Sequence, residues 1–187
     1  MSQTITVNAG SGDCWADVDD NFEPTGQFMW MGGTPAIDGN PKAWIPFVVN
    51  LPRLLDIDSA VIKWFASQSR SDDTVKVLIG CELADNPAAP DSKGSLFARS
   101  MTSAKLTVNL EHYTAGTQYS YDITDSVQEI LNRAGWASGN TLAVLVFDNG
   151  TTTDKRRQVA TVENPTYQEP VLEITFPTFF PRASGVI

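Results

Sequence analysis

The chain is poor in the side chains on which most enzyme and nucleic-acid chemistry depends. It has one histidine, His112, and two cysteines, Cys14 and Cys81, far apart in the sequence. They do not form the short-spaced ligand clusters of a zinc site. No Gly-x-Ser-x-Gly elbow occurs, so nothing marks a hydrolase nucleophile. His112, set in Glu111-His112-Tyr113, reads as a surface histidine, and no catalytic residue is assigned. Basic residues are also few, with 13 Lys and Arg against 22 Asp and Glu and a net charge of −9. That balance argues against electrostatic binding to nucleic acid, which needs a basic stripe to neutralise phosphates. It equally disfavours docking on anionic lipid. No stretch approaches the ~20 apolar residues of a membrane span. The N-terminus has no basic region followed by an apolar run, so no secretory signal is expected. Synthesis in a cytoplasm is expected, with release in a particle such as a virion.

What is present is short apolar alternation. At 187 residues, 42% of them hydrophobic, the chain suits one domain with one substantial core. Strands are expected at Thr4–Val7, Cys14–Asp17, Phe28–Met31, Trp44–Val49, Ala60–Ala66 and Thr74–Cys81, then at Leu106–Leu110, Tyr119–Ile123, Thr141–Phe147, Arg157–Val162 and Val171–Phe176. Val75, Val77, Ile79 and Cys81 share one face, with Lys76 on the other. Pro46 suggests an edge strand or a bulge, because proline cannot donate to a ladder. Thr141–Phe147 is apolar on both faces, which places it in the middle of a sandwich. Asp85 to Gly94 reads as a loop. Cys14 and Cys81 are compatible with a disulfide or with two inert buried thiols.

One helix is expected, at about 125–134. Asp125 is its candidate N-cap, with Gln128 three residues on as in a capping box. Val127, Ile130 and Leu131 fall on one face, and Gly135 supplies the stop. Gly139-Asn140 then turns into the next strand. Many short strands and a single helix indicate an all-β sandwich of two antiparallel sheets. The sandwich is expected over residues 1–176, followed by an apolar tail over 177–187.

Several stretches carry a family resemblance. They are Ile57-Asp58-Ser59-Ala60-Val61-Ile62, Glu82 to Ala88, Asp122-Ile123-Thr124 with Val127, Arg133-x-Gly135-Trp136-x-x-Gly139-Asn140, and Glu169 to Phe176. Together they resemble the jelly-roll β-sandwich domains of the DNRLRE type, which are related to carbohydrate-binding modules. The resemblance spans most of residues 4 to 176 and is strongest after residue 120. It implies a jelly-roll fold, and a role as sugar binder, spacer or capsid element. Family members usually sit in large secreted chains, a pattern this sequence does not show.

The residues themselves offer three candidate sites. The acidic loop Asp17, Asp19, Asp20 and Glu23 has the carboxylates for a structural calcium, the one cofactor considered, although it lacks EF-hand spacing. Its other reading is a solvated acidic turn. Trp15 and Trp30, which flank that loop, are the candidate stacking platforms for a glycan. Trp44 and Trp64 read as core, and Trp136 as packed over the sandwich end. Phe179, Phe180, Val186 and Ile187 in the tail are candidate partner contacts. A fully extended tail of 11 residues reaches up to ~36 Å, enough to cross onto a neighbouring subunit.

Two functions follow as expectations. The first is a non-catalytic subunit of a larger assembly such as a bacteriophage capsid decoration, tail or fibre, acting through protein contacts as a homo-oligomer. The second is a carbohydrate-binding module.

Overall fold

The computed structural model describes residues 2–17, 21–33, 41–71, 74–151 and 155–178. Its strands are β1 (Ser2–Asn8), β2 (Cys14–Ala16), β3 (Phe22–Glu23), β4 (Phe28–Gly32), β5 (Lys42–Val48), β6 (Ser59–Phe65), β7 (Val75–Cys81), β8 (Leu106–Leu110), β9 (Gln118–Asp122), β10 (Thr141–Asp148), β11 (Arg156–Ala160) and β12 (Val171–Pro177). Helix α1 (Lys93–Phe97) lies between β7 and β8, and α2 (Thr124–Leu131) between β9 and β10.

Period-two alternation sorts these strands into a sandwich. One sheet has the order β1-β12-β6-β9 and the other β3-β2-β5-β10-β7-β8, with a two-stranded ribbon of β11 and β4 beside them. Every pairing is antiparallel. The expected all-β sandwich is therefore the fold found. Between the sheets lie Trp64, Ile62 and Ile174 from one side, and Phe47, Ile45, Val77, Ile79 and Val144 from the other. Each is fully buried. Burying one such side chain contributes about 1.5–3 kcal/mol.

The six-stranded sheet is covered on its outer face as well. Trp44, Ala143, Leu145, Cys14 and Ala16 point away from the main core and meet Leu96 of α1, with Phe97, Met101 and Phe147 around them. This second cover explains why β10 is apolar on both faces. It also explains Lys42, whose ammonium sits 4.9 Å from the Phe97 ring centroid and 4.2 Å from that of Phe147. Burial there lowers its pKa.

Local details depart from the sequence expectations for physical reasons. A second helix, α1, begins at the end of the stretch read as a loop; the Ser92 hydroxyl caps it by accepting from Ser95 N at 3.2 Å. Helix α2 starts one residue earlier and ends three earlier than expected. Asp125 is in its first turn and does not cap it; instead Asp122 Oδ1 accepts from Thr124 N at 2.9 Å and Thr124 Oγ1 at 2.6 Å. Gln128 makes no capping box, because its side chain accepts from Ile57 N and donates to Leu55 O and Asn132 Oδ1. The expected face of α2 is correct, with Val127, Ile130 and Leu131 all buried.

Pro46 lies in an interior strand between β2 and β10. It is tolerated because it extends past the short β2; its carbonyl accepts from Gly10 N at 2.8 Å there, and no ladder partner requires an N–H. The two-residue β3 was not expected. Cys14 and Cys81 are buried free thiols, on opposite faces of their sheet. Phe179, Phe180, Val186 and Ile187 lie outside the described residues. Among the described residues, no helix is long and apolar enough to cross a membrane.

Candidate functional site

The motif-bearing segments build structure. Asp85 of the 82–88 stretch meets the turn after α2, where Arg133 Nε donates to Asp85 Oδ1 at 2.5 Å and Asn140 Nδ2 donates to Asp85 O at 2.9 Å. Asn86 Oδ1 accepts from Thr141 N at 2.8 Å, at the start of β10. A Cβ at Gly135 would stand 2.2 Å from Asp85 Oδ2, so glycine is what allows this approach. Glu82 is buried, accepting from Trp44 Nε1 and from Arg99 Nη1, both at 2.7 Å. Trp136 is buried too, and its indole donates to Leu51 O at 3.0 Å. Each polar atom named here has a partner.

The other tryptophans lead to a different region. β4 alternates, sending Met29 and Met31 into the core and leaving Phe28 and Trp30 on the outer side of the ribbon. Their rings pack edge to face, with centroids 5.5 Å apart. β11 adds charge beside them. The Arg156 guanidinium lies 3.8 Å from the Trp30 ring centroid, and that of Arg70 lies 5.5 Å away. Such stacking is the geometry of a cation–π contact. The result is an aromatic patch flanked by two guanidinium groups.

Trp15 lies in β2, opposite Glu23 of β3. The sequence therefore brings Trp15 and Trp30 to one place. With Glu23, Gly26, Gln27 and Phe28 they line an open hollow of about 380 Å³. Trp15 is only 7% exposed, so it forms a wall more than a platform, while Phe28 is 37% exposed. The Trp15 indole N–H is buried without a hydrogen-bond partner among the described residues. A buried, unpaired donor costs about 1–3 kcal/mol.

Two residues before Trp15 begins a second unsatisfied feature. Asp13 is fully buried, and its Oδ2 accepts from Val162 N at 3.2 Å. Its other oxygen, Oδ1, and Oε2 of Glu163 are both buried without a donor among the described residues. Burial, and then the negative charge of Glu163, push the Asp13 carboxyl up to about 7. Two adjacent carboxyl groups in a poorly solvated site do not both ionise easily, and one proton shared between them satisfies both. Nothing in the sequence pattern pairs these residues, which only the fold brings together.

The candidate cation loop divides. Asp17 is buried, and its Oδ2 accepts from Asn21 Nδ2 at 2.9 Å. Glu23 serves the hollow instead, and Asp19 and Asp20 lie outside the described residues. Among the described residues no group of three or more His, Cys, Asp or Glu is placed to hold a metal. His112 is exposed, and its carbonyl accepts from Tyr119 Oη at 3.1 Å. Burial pushes both the Cys14 and Cys81 thiols up to about 12, well away from thiolate reactivity. A larger hollow of about 500 Å³ lies at the start of α2, lined by Ser103, Lys105, Asp122 and Thr124 among others. There the Asp122 carboxylate is occupied in capping the helix. Compared with known proteins, the chain matches no family model and no curated protein.

Proposed function

We propose that this chain is a non-catalytic adhesive β-sandwich that works by contact, as a subunit of a larger assembly such as a bacteriophage virion. The observation that carries the reading is the patch of Trp30 and Phe28 flanked by Arg156 and Arg70. Tryptophan and arginine are the residues that dominate protein–protein contact energy. Jelly-roll winding and kinship with the DNRLRE-type domains belong to the same reading, as does release in a particle. The reading requires no cofactor. Sedimentation at increasing concentration tests it, together with antibody detection in particles released by the producing cell. Association lost in Trp30→Ala supports it. A persistent monomer absent from every particle overturns it.

The hollow favours a second reading, a carbohydrate-binding module. Phe28 and Trp30 offer ring surface, Glu23 and Gln27 offer hydrogen bonds to hydroxyls, and the Trp15 N–H lacks an acceptor. A glycan array with and without calcium tests it, and silence in both conditions counts against it.

A further inference from the structure

Asp13 and Glu163 stand at a junction between the two walls of the hollow. Asp13 is two residues from Trp15, which forms one wall. Glu163 belongs to the segment that holds the other wall. There Thr161 Oγ1 donates to Gly26 O at 2.6 Å, Thr161 N to Gln27 O at 3.4 Å, and Asn164 Nδ2 to Gln27 O at 2.8 Å. The Val162 N–H, inside that segment, donates back to Asp13 Oδ2. The two walls are thus tied where the Val162 N–H reaches Asp13, beside two buried oxygens, Asp13 Oδ1 and Glu163 Oε2, that lack a donor among the described residues.

We propose that Asp13 and Glu163 form a proton-operated clamp on the hollow. With one proton between them the pair holds segment 161–164 against Asp13, and Gly26 and Gln27 stay fixed relative to Trp15. When that proton leaves, two carboxylates face each other in a buried site. Their repulsion and their need for water separate the segments, and the hollow loses its shape. The segment side contributes Glu163. On the β2 side, the adjacent Cys14 stays a neutral thiol, its pKa raised by burial. Gly10 and Pro46, on the neighbouring turn and strand, carry no charge. The raised ionisation range of Asp13 places the transition near neutral pH.

The clamp gives the contact surface a regulator, and so rests on reading the hollow as that surface. Amide hydrogen exchange on the ligand-free chain tests it without any ligand, so a failed ligand search and a failed clamp remain distinct results. The reporters are the Val162 and Thr161 amides and those of residues 26–28. After correction for intrinsic rates, protection is expected to fall about tenfold between about pH 5.5 and about pH 8.5 in the native chain. In Asp13→Asn it is expected to stay level across that range. Where circular dichroism shows Asp13→Asn to be unfolded, Glu163→Gln carries the same comparison. Native protection that does not change with pH, or a folded variant that keeps the native response, overturns the clamp.

Discussion

Two regions of this molecule treat buried polar atoms in opposite ways. Over the outer face of the six-stranded sheet, the buried Glu82 carboxylate accepts from both Trp44 and Arg99. At the hollow, the Trp15 N–H, Asp13 Oδ1 and Glu163 Oε2 have no partner among the described residues. A completed network rigidifies a fold, whereas an incomplete one is kept at a cost. The contrast separates residues that hold the sandwich together from residues held ready for something else. It also shows that the best-patterned segments of the chain belong to the first group.

The comparison can be broken at its strongest point first. Glu82→Ala leaves the Arg99 charge half-buried and the Trp44 N–H unpaired, and should cost about 3–5 kcal/mol in urea unfolding. A loss below 1 kcal/mol would show the network to be ornamental. Gly135→Ala should cost about 1–3 kcal/mol by crowding Asp85. Adding Asp85→Ala should recover part of that loss in a double-mutant cycle, since the two act through one contact.

The sharpest test pairs two tryptophans. Trp44→Phe keeps a ring but strips Glu82 Oε2 of its donor, and should cost about 1–3 kcal/mol. Trp15→Phe removes a donor that has no partner, so thermal unfolding should shift little, or upward. Equal losses in the two variants would erase the distinction between the regions.

Stability against pH adds a smaller, graded test. Asp13 is expected to hold its proton up to about pH 7 in the fold, against 3.8 for an ordinary carboxyl. Between those values the folded chain binds the extra proton. The contribution of this group is therefore fully present below the lower value, declines as pH rises between them, and is flat above. Subtracting the urea midpoints of Asp13→Asn from those of the native chain at each pH should reveal a decline over that window. A level difference would remove Asp13 from the account.

Much of this was legible in the sequence, for reasons that can be named. Val75, Val77, Ile79 and Cys81 alternate cleanly because one face of β7 meets the core while Lys76 meets water. The face of α2 shows in Val127, Ile130 and Leu131 because a helix repeats near every fourth residue. Helix α1 was hidden because its five residues include Gly94 and follow a run of turn formers. β3 is too short for any periodicity to appear. Trp15 and Trp30 stood out as tryptophans beside an acidic loop, and Phe28 was visible in the same alternation as Trp30. Asp13 and Glu163 gave no signal, because their encounter depends on how the turn before β2 meets the segment after β11. Such meetings depend on the tertiary fold, which local pattern does not record.

The two thiols carry one more consequence. Cys14 faces the outer cluster and Cys81 the inner core, with the sheet itself between them. No bond between them supports the sandwich, and neither is poised to react. The fold is therefore indifferent to redox poise. It can form in a reducing compartment and persist in an oxidising one without oxidative maturation.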